Sequence, residues 1–286
     1  MKILLTGVNG QVGWELQRTL ATLGEVLAPR REQLDLTNPR QIRALLREWR
    51  PQLIINPAAH TAVDKAESEP TLAHAINAIA PAVLAEEARL LGAAMVHFST
   101  DYVFDGSKSG AWQEDDPTAP LGIYGASKLA GEQAVAAAGI PHLVFRTSWV
   151  YSTRGSNFLL TMQRLFRERD SLNIVADQIG APTWSRSIAE ATAQVLARQP
   201  FDDPANHGIY HLTCAGQTSW HGFASAILAH TALPDGKTVH LQPIPASQYP
   251  TPAKRPANSV LDNHKLKQRF GLQMPDWNTA LDLCLA

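Results

Sequence analysis

Five short apolar runs, each but the last followed by a stretch of helical periodicity, constrain the first half of this chain more than any other feature. The runs are Ile3-Leu4-Leu5, Glu25-Val26-Leu27-Ala28, Leu53-Ile54-Ile55, Ala94-Met95-Val96-His97-Phe98 and His142-Leu143-Val144-Phe145. Between them, Trp14 to Leu23 carries Leu16, Leu20 and Leu23 at helical spacing. Asn38-Pro39 supplies an N-cap and a first-position proline to a helix striped by Ile42, Leu45, Leu46 and Trp49. Pro70 to Leu91 reads as one long Ala/Leu/Glu helix, and a further helix runs from about Tyr124 to Ala138. Runs this short and this uniformly apolar suit strands covered on both faces. Strand–helix alternation then implies right-handed crossovers and a parallel sheet.

The fold class that follows is α/β, a doubly wound Rossmann-type parallel sheet with a smaller α/β substrate-binding domain. We expect the nucleotide-binding domain over residues 1–150, with the chain returning to it around 177–212, and mainly the substrate domain over 151–286. Beyond residue 150 prolines and aromatics become frequent, and residues 242–258 read as a loop-rich tract beside a strand-like Val239-His240-Leu241. A chain of 286 residues that is 45% hydrophobic and 18% charged can bury such a core. Its 25 basic and 26 acidic residues lack the basic excess of a nucleic-acid-binding protein. Two cysteines, Cys214 and Cys284, are too few for a disulfide framework or a zinc cluster and suit reduced thiols. The opening MKILLTGVNG breaks its apolar run well short of a signal peptide's roughly 7–15 residues, and no membrane span follows, so a cytoplasmic location without a membrane partner is expected.

Thr6-Gly7-Val8-Asn9-Gly10-Gln11-Val12-Gly13 joins the first strand to the first helix. Gly7 permits the tight turn, Gly10 leaves room for a pyrophosphate, and Gly13 lets helix and strand pack closely. The N–H groups opening the helix, at Gln11 and Val12, face the phosphates. The spacing is G-x-x-G-x-x-G. The second strand ends Ala28-Pro29-Arg30-Arg31, without the acid that would bind a free ribose 2′-hydroxyl. Two guanidiniums beside a 2′-phosphate point to NADPH, with NADH as the alternative cofactor. Asp35, Leu36, Ala58, Ala59, His60 and Thr61 sit in turns at the carboxyl edge and complete the expected cofactor contacts.

Tyr124-Gly125-Ala126-Ser127-Lys128 puts a phenol and an amine four residues apart on one helix face. A phenol ordinarily near pKa 10 exchanges protons poorly at neutral pH, and the Lys128 ammonium is expected to lower it. Ser99 or Thr100, at the end of the fourth strand, offers a hydroxyl to a reacting carbonyl.

These segments resemble the extended short-chain dehydrogenase/reductases, and within them the dTDP-4-dehydrorhamnose reductase family. The resemblance rests on GQVGWELQ, AAHTAVDKAESEP, STDYVFDG, YGASKLAGE, FRTSWVY, DQIGAPT and YPTPAKRPANS, spread over nearly the whole chain. It implies NADPH-dependent reduction of the 4-keto group of dTDP-4-dehydro-6-deoxy-L-mannose to dTDP-L-rhamnose. Tyr124 would be the proton donor, Lys128 its electrostatic partner and Thr100 the hydroxyl tuning the carbonyl. Val63, Thr100, Asp101, Tyr102 and Trp149 would line the sugar pocket, and Arg255 would meet the diphosphate.

Some members of the family dimerise through a magnesium site of glutamates. Glu15 matches one such position, but Arg186 stands where another acid is expected, so no metal and no Mg²⁺ is carried over, and the chain is read as a monomer or homodimer. A sugar-nucleotide dehydratase would need a second acid after Asp101, where Tyr102 stands instead, and the AHTAVDKAE and RTSWVY segments point away from a 4-epimerase. The alternatives are an NADP-binding regulatory subunit similar to that of methionine adenosyltransferase, or another sugar-nucleotide short-chain dehydrogenase/reductase.

Overall fold

The computed structural model describes all of residues 1–286. In the first half, β1 (Lys2–Leu5), α1 (Gln11–Thr19), β2 (Glu25–Leu27), α2 (Pro39–Trp49) and β3 (Leu53–Asn56) are followed by α3 (Val63–Ser68) and α4 (Pro70–His74). A π-helical segment, Ala75–Ile79, leads into α5 (Ala80–Leu91); β4 (Ala94–Thr100), α6 (Ile123–Ala137) and β5 (His142–Thr147) complete that half. The second half holds β6 (Val150–Tyr151), α7 (Phe158–Glu168), β7 (Ser171–Val175), β8 (Ile179–Gly180), β9 (Thr183–Trp184) and α8 (Ser185–Ala197). After them come β10 (Gly208–His211), β11 (Thr218–Ser219), α9 (Trp220–Ala229), β12 (His240–Ile244), α10 (His264–Phe270) and α11 (Trp277–Leu285).

Six strands form one parallel sheet in the order β10-β5-β4-β3-β1-β2. The uniformly apolar runs are explained by what covers them. Ile3 and Leu5 pack with Leu16, Leu20, Ile188 and Phe270 on one face, while Leu4 packs with Ile42, Leu46 and Leu84 on the other. Alternate residues of a strand face opposite sides, so a strand buried between two helical layers has no polar face to show. The winding reverses between β1 and β3, which opens a crevice at their carboxyl ends.

A second core joins Tyr151, Leu159, Phe166, Ile174, Phe223 and Leu281. Residues after 150 also enter the first core: Ile188 and Val195 of α8, Tyr210 of β10, and Leu266 and Phe270 of α10.

Local signals account for several boundaries. Asn38 caps α2, its Oδ1 accepting from the N–H groups of Arg40 (3.1 Å) and Gln41 (3.3 Å), with Pro39 next. Two expectations need correction. The helix expected over Pro70–Leu91 is interrupted by the π-helical turn. The tract expected to be loop from residue 242 opens as β12, which pairs in parallel with β7 from His240↔Ser171 to Ile244↔Val175. Its prolines masked that strand, because Pro243 lies in a two-stranded pair where a missing donor is tolerated.

Candidate active site

The glycine turn forms a cradle at the mouth of the crevice. Gly7 has φ +60°, and a Cβ there would stand 2.8 Å from the Ala58 backbone. A Cβ on Gly13 would overlap the Gly7 carbonyl, so α1 reaches this close to β1 only as glycine. Gly10 N–H donates to the Gly7 carbonyl at 2.9 Å and closes the turn. No side chain caps α1, so the backbone N–H groups at its start remain available to an anion. At the end of β2, Arg30 and Arg31 are exposed and neither makes an ion pair. Asp35 is turned inward on its own loop: its Oδ1 accepts from the N–H (2.9 Å) and hydroxyl (2.8 Å) of Thr37, which lowers its pKa. Leu36 packs against the α2–α5 side of the sheet.

The loop after β3 is fastened by a residue that sequence reasoning missed. Asn77, fully buried in the π-helical turn, accepts from the His60 N–H at 2.8 Å, and its Nδ2 donates to the His60 carbonyl (3.2 Å) and to Ser127 Oγ (3.1 Å). One wide turn thereby holds both the Ala58–Thr61 loop and the helix that carries Lys128. Widened turns of this kind are often found at functional sites. The His60 ring lies 3.2 Å from the Glu69 carboxylate, a hydrogen-bonding role.

The AHTAVDKAE segment, quoted above only for its resemblance, has two structural tasks. Glu67 Oε1 accepts from the Ile123 N–H at 2.8 Å and so caps α6, whose own N-cap, Gly122, has no side chain to do so. Asp64 pairs with Arg255 at 2.8 Å and accepts from the Ala253 N–H at 3.1 Å. Arg255, expected to meet a diphosphate, is therefore already bound to a carboxylate that ties the 253–258 stretch to α3; the half-buried Val63 opens that helix.

At the start of α6, Gly125 lies against the Tyr102 carbonyl, where a Cβ would overlap it. That contact sets Tyr124 edge-on to Tyr102, ring centroids 5.4 Å apart. Burial pushes the Tyr124 phenol up to about 12, partly offset by the Thr100 hydroxyl beside it. The expectation that Lys128 lowers this phenol is corrected. Lys128 Nζ donates to the Phe98 carbonyl at 2.6 Å and lies 3.4 Å from His97 Nε2, and burial carries it down to about 8. Tyr102 is likewise held protonated by burial. Ser99, the other hydroxyl considered, is buried without a partner.

Thr100 Oγ1 donates to Asp101 Oδ1 at 2.9 Å, while Asp101 Oδ2 is buried and unpaired. Burial raises the Asp101 carboxyl from 3.8 to about 6, with the Thr100 hydroxyl acting against the rise. The folded state thus holds this proton more tightly than the unfolded chain. Its stabilising contribution is complete below about pH 4 and lost as pH rises through about 6. Asp101→Asn is expected to be more stable than the parent at pH 7 by about 3 kcal/mol, the gap narrowing from pH 6 to pH 4. Urea midpoints at the two ends of that range measure it, and an equal gap at both would refute it.

Trp149 follows β5 with φ +47°, a left-handed backbone for a bulky residue. Its indole stacks on Trp220, centroids 3.5 Å apart, and a Cβ on Gly180 would stand 2.5 Å from its edge. One indole face is therefore covered and the ring is fixed in orientation. The second half also touches the cradle: Asn157 Nδ2 donates to Gln11 Oε1 at 2.9 Å, and the Arg154 guanidinium lies 3.5 Å from the Trp14 ring centroid.

Comparison with known proteins decides the family. A family model described as "RmlD substrate binding domain" matches residues 1–286. The dTDP-4-dehydrorhamnose reductase of Burkholderia thailandensis is 52% identical over 292 residues, covering 100% of this chain and 98% of that protein. The chain belongs to the dTDP-4-dehydrorhamnose reductase family. The Salmonella typhimurium member is 46% identical, covering 97% of this chain and 94% of its own. Among solved structures, the reductase of Clostridium acetobutylicum superposes with a TM-score of 0.92 at 39% identity, covering 100% and 98% of the two chains. That of Bacillus anthracis, in complex with NADP, gives 0.89 at 37%, covering 99% and 98%.

Members of this family are oxidoreductases, and this chain is one of them. Glu15 is bound by Arg18 and lies 3.5 Å from Arg186, so its carboxylate faces two guanidiniums. The thiols of Cys214 and Cys284 are both pushed up to about 11 by burial, which keeps them protonated and unreactive. No helix is long and apolar enough to cross a membrane.

Proposed function

We propose that this protein reduces the 4-keto group of dTDP-4-dehydro-6-deoxy-L-mannose (dTDP-4-dehydro-L-rhamnose) to dTDP-L-rhamnose with NADPH, the last step of dTDP-rhamnose biosynthesis. The observation that carries this reading is the protonated Tyr124 phenol, held beside the Thr100 hydroxyl on the same sheet edge as a cradle that admits only glycine. The family's shared name and the NADP complex of the Bacillus anthracis relative support it.

The residues at the crevice fit a dinucleotide. The uncapped start of α1, with Gly7, Gly10, Gln11, Val12 and Gly13, would hold the pyrophosphate. Arg30 and Arg31 would meet the 2′-phosphate, while Asp35, Leu36, Ala58, Ala59, His60 and Thr61 would line the adenosine and ribose. Bound NADPH supplies the hydride. Tyr124 keeps its proton at pH 7 and gives it to the ketone oxygen as charge develops there, and the Thr100 hydroxyl, turned away from Asp101 Oδ1, donates a second hydrogen bond to that oxygen. Lys128, four residues on along the same helix, would hold the nicotinamide ribose hydroxyls. Trp149 walls the deoxysugar with its uncovered face, with Val63, Asp101 and Tyr102 around it, and Arg255 positions the 253–258 stretch at the mouth. Residues 1–150, with the return of the chain around 177–212, form the nucleotide-binding domain, and 151–286 mainly the substrate domain. We assign the protein to the cytoplasm as a monomer or homodimer.

The test is oxidation of NADPH in the presence of the dTDP-keto sugar, with dTDP-L-rhamnose identified as product; absence of turnover on that substrate refutes the reading. Replacing both arginines by alanine is expected to lower kcat/KM for NADPH by about tenfold or more and to leave NADH nearly unchanged, since each charge-assisted hydrogen bond contributes about 1.5–3 kcal/mol. Equal losses with both cofactors would remove the 2′-phosphate role.

A further inference from the structure

The start of α1 leaves its backbone N–H groups for an anion, while two of its side chains hold the second half of the chain. Gln11 opens the helix, and Trp14 stands three residues on, on the same face. Both meet the loop that follows β6. Asn157 Nδ2 donates to Gln11 Oε1 at 2.9 Å, and Gln11 Nε2 donates to the Val150 carbonyl at 3.4 Å. The Arg154 guanidinium covers the Trp14 ring, 3.5 Å from its centroid. Gly155, at φ +74°, passes so near that a Cβ there would stand 3.8 Å from Gln11 Cγ. The reaction as described asks nothing of these side chains.

Both amide orientations follow from the helix that Asn157 caps. Its Oδ1 accepts from the Leu160 N–H at 3.1 Å, at the start of α7. The nitrogen end therefore faces the loop, where its two N–H bonds meet three acceptors: the Ser152 carbonyl at 2.8 Å, Gln11 Oε1, and the Arg154 carbonyl at 3.0 Å. No donor is left over for a ligand. Because Gln11 gives its oxygen to Asn157, its nitrogen is the end beside Val150. Val150 follows Trp149, whose backbone at φ +47° is one that a bulky residue keeps only where its surroundings fix it. The other fixings are the Thr183 N–H, which donates to the Trp149 carbonyl at 3.2 Å, and the stack on Trp220.

We propose that the Gln11 side chain is a positioning group that fixes the sugar wall, Trp149 and the start of α7, against the helix end that holds the cofactor. This rests on the reductase reading above. Once the Gln11 and Val12 N–H groups hold a pyrophosphate, the first turn of α1 is ordered, and the Gln11 amide carries that order to residues 150–157. Cofactor and sugar nucleotide then strengthen each other's binding by the same factor, although no residue of the tie needs to touch the sugar.

The experiment compares the parent with Gln11→Met, which keeps the side-chain length and the backbone N–H, and with Asn157→Ser, which still caps α7 but cannot reach Gln11. At saturating NADPH each is expected to raise KM for the dTDP-keto sugar about fivefold, the worth of one neutral hydrogen bond, with the loss in KM rather than kcat. The double variant should lose no more than either single one, because all three break the same bond. Amide hydrogen exchange gives a readout independent of turnover. NADP⁺ added to the parent should slow exchange over residues 150–161 as well as over the glycine turn, residues 6–13. In Gln11→Met the protection over 6–13 should persist and that over 150–161 should be lost. Protection of both segments in a parent that does not turn over the keto sugar would remove the reductase reading and leave the tie standing. Parental protection confined to 6–13, protection over 150–161 that survives in Gln11→Met, additive losses in the double variant, or an unmoved KM in the folded single variants would each overturn the proposal.

Discussion

Tyr124→Phe is expected to lower kcat by about 10²–10⁴-fold, the usual contribution of a positioned proton donor, while NADPH affinity stays close to that of the parent. The substitution removes one hydroxyl and keeps the ring that packs edge-on against Tyr102 at 5.4 Å. The loss should therefore fall on the chemical step, with kcat and kcat/KM declining together. Because burial holds the phenol at about 12, it stays protonated between pH 6 and 9, and no limb of the pH profile there should belong to its free form. Stopped-flow measurement of NADPH oxidation separates the step from product release. A variant with nearly parental kcat would move the proton donor to another group.

The second large effect concerns stability. Arg146 and Glu132 form an ion pair in which both side chains are only 2% exposed, the guanidinium donating to the two carboxylate oxygens at 3.0 and 2.7 Å. Arg146 also donates to the Glu114 carbonyl at 3.2 Å and lies 5.0 Å from the Phe104 ring centroid. Replacing Glu132 by alanine leaves a guanidinium buried without its counter-charge, and such losses amount to about 3–5 kcal/mol. The double variant Arg146→Met, Glu132→Leu removes both charges and should regain most of that loss. Urea unfolding measures each. A loss below about 1 kcal/mol in Glu132→Ala would mean that water or another carboxylate already serves Arg146. Because Glu132 favours the Lys128 ammonium, the alanine variant should also titrate its lysine at lower pH than the parent.

Features written into neighbouring residues were legible in the sequence. Ile3-Leu4-Leu5 and Leu53-Ile54-Ile55 announce strands covered on both faces, Asn38-Pro39 announces a helix start, and the three glycines announce a close turn. Less was legible of the site. Tyr124, Lys128 and Thr100 do converge on one sheet edge, but the predicted lowering of the phenol assumed a four-residue spacing on a helix to be a working contact. In the fold the amine turns instead to Phe98 and His97, and desolvation outweighs it. Arg255 was read as a free cation because its carboxylate partner, Asp64, lies 191 residues away in sequence.

From its own order of residues, then, the chain determined where strands and helices begin, which turn must be built of glycine, and which residues carry phenol, amine and hydroxyl. Those properties depend on local sterics and hydrogen bonding within a few residues. Only the tertiary structure decided that Asn77 fastens the His60 loop, that Glu67 caps α6, that Arg255 binds Asp64, and that Lys128 has His97 at its back. Each of these joins groups far apart in sequence, and the strength of each depends on a burial that exists only once the sheet and its two helical layers have closed.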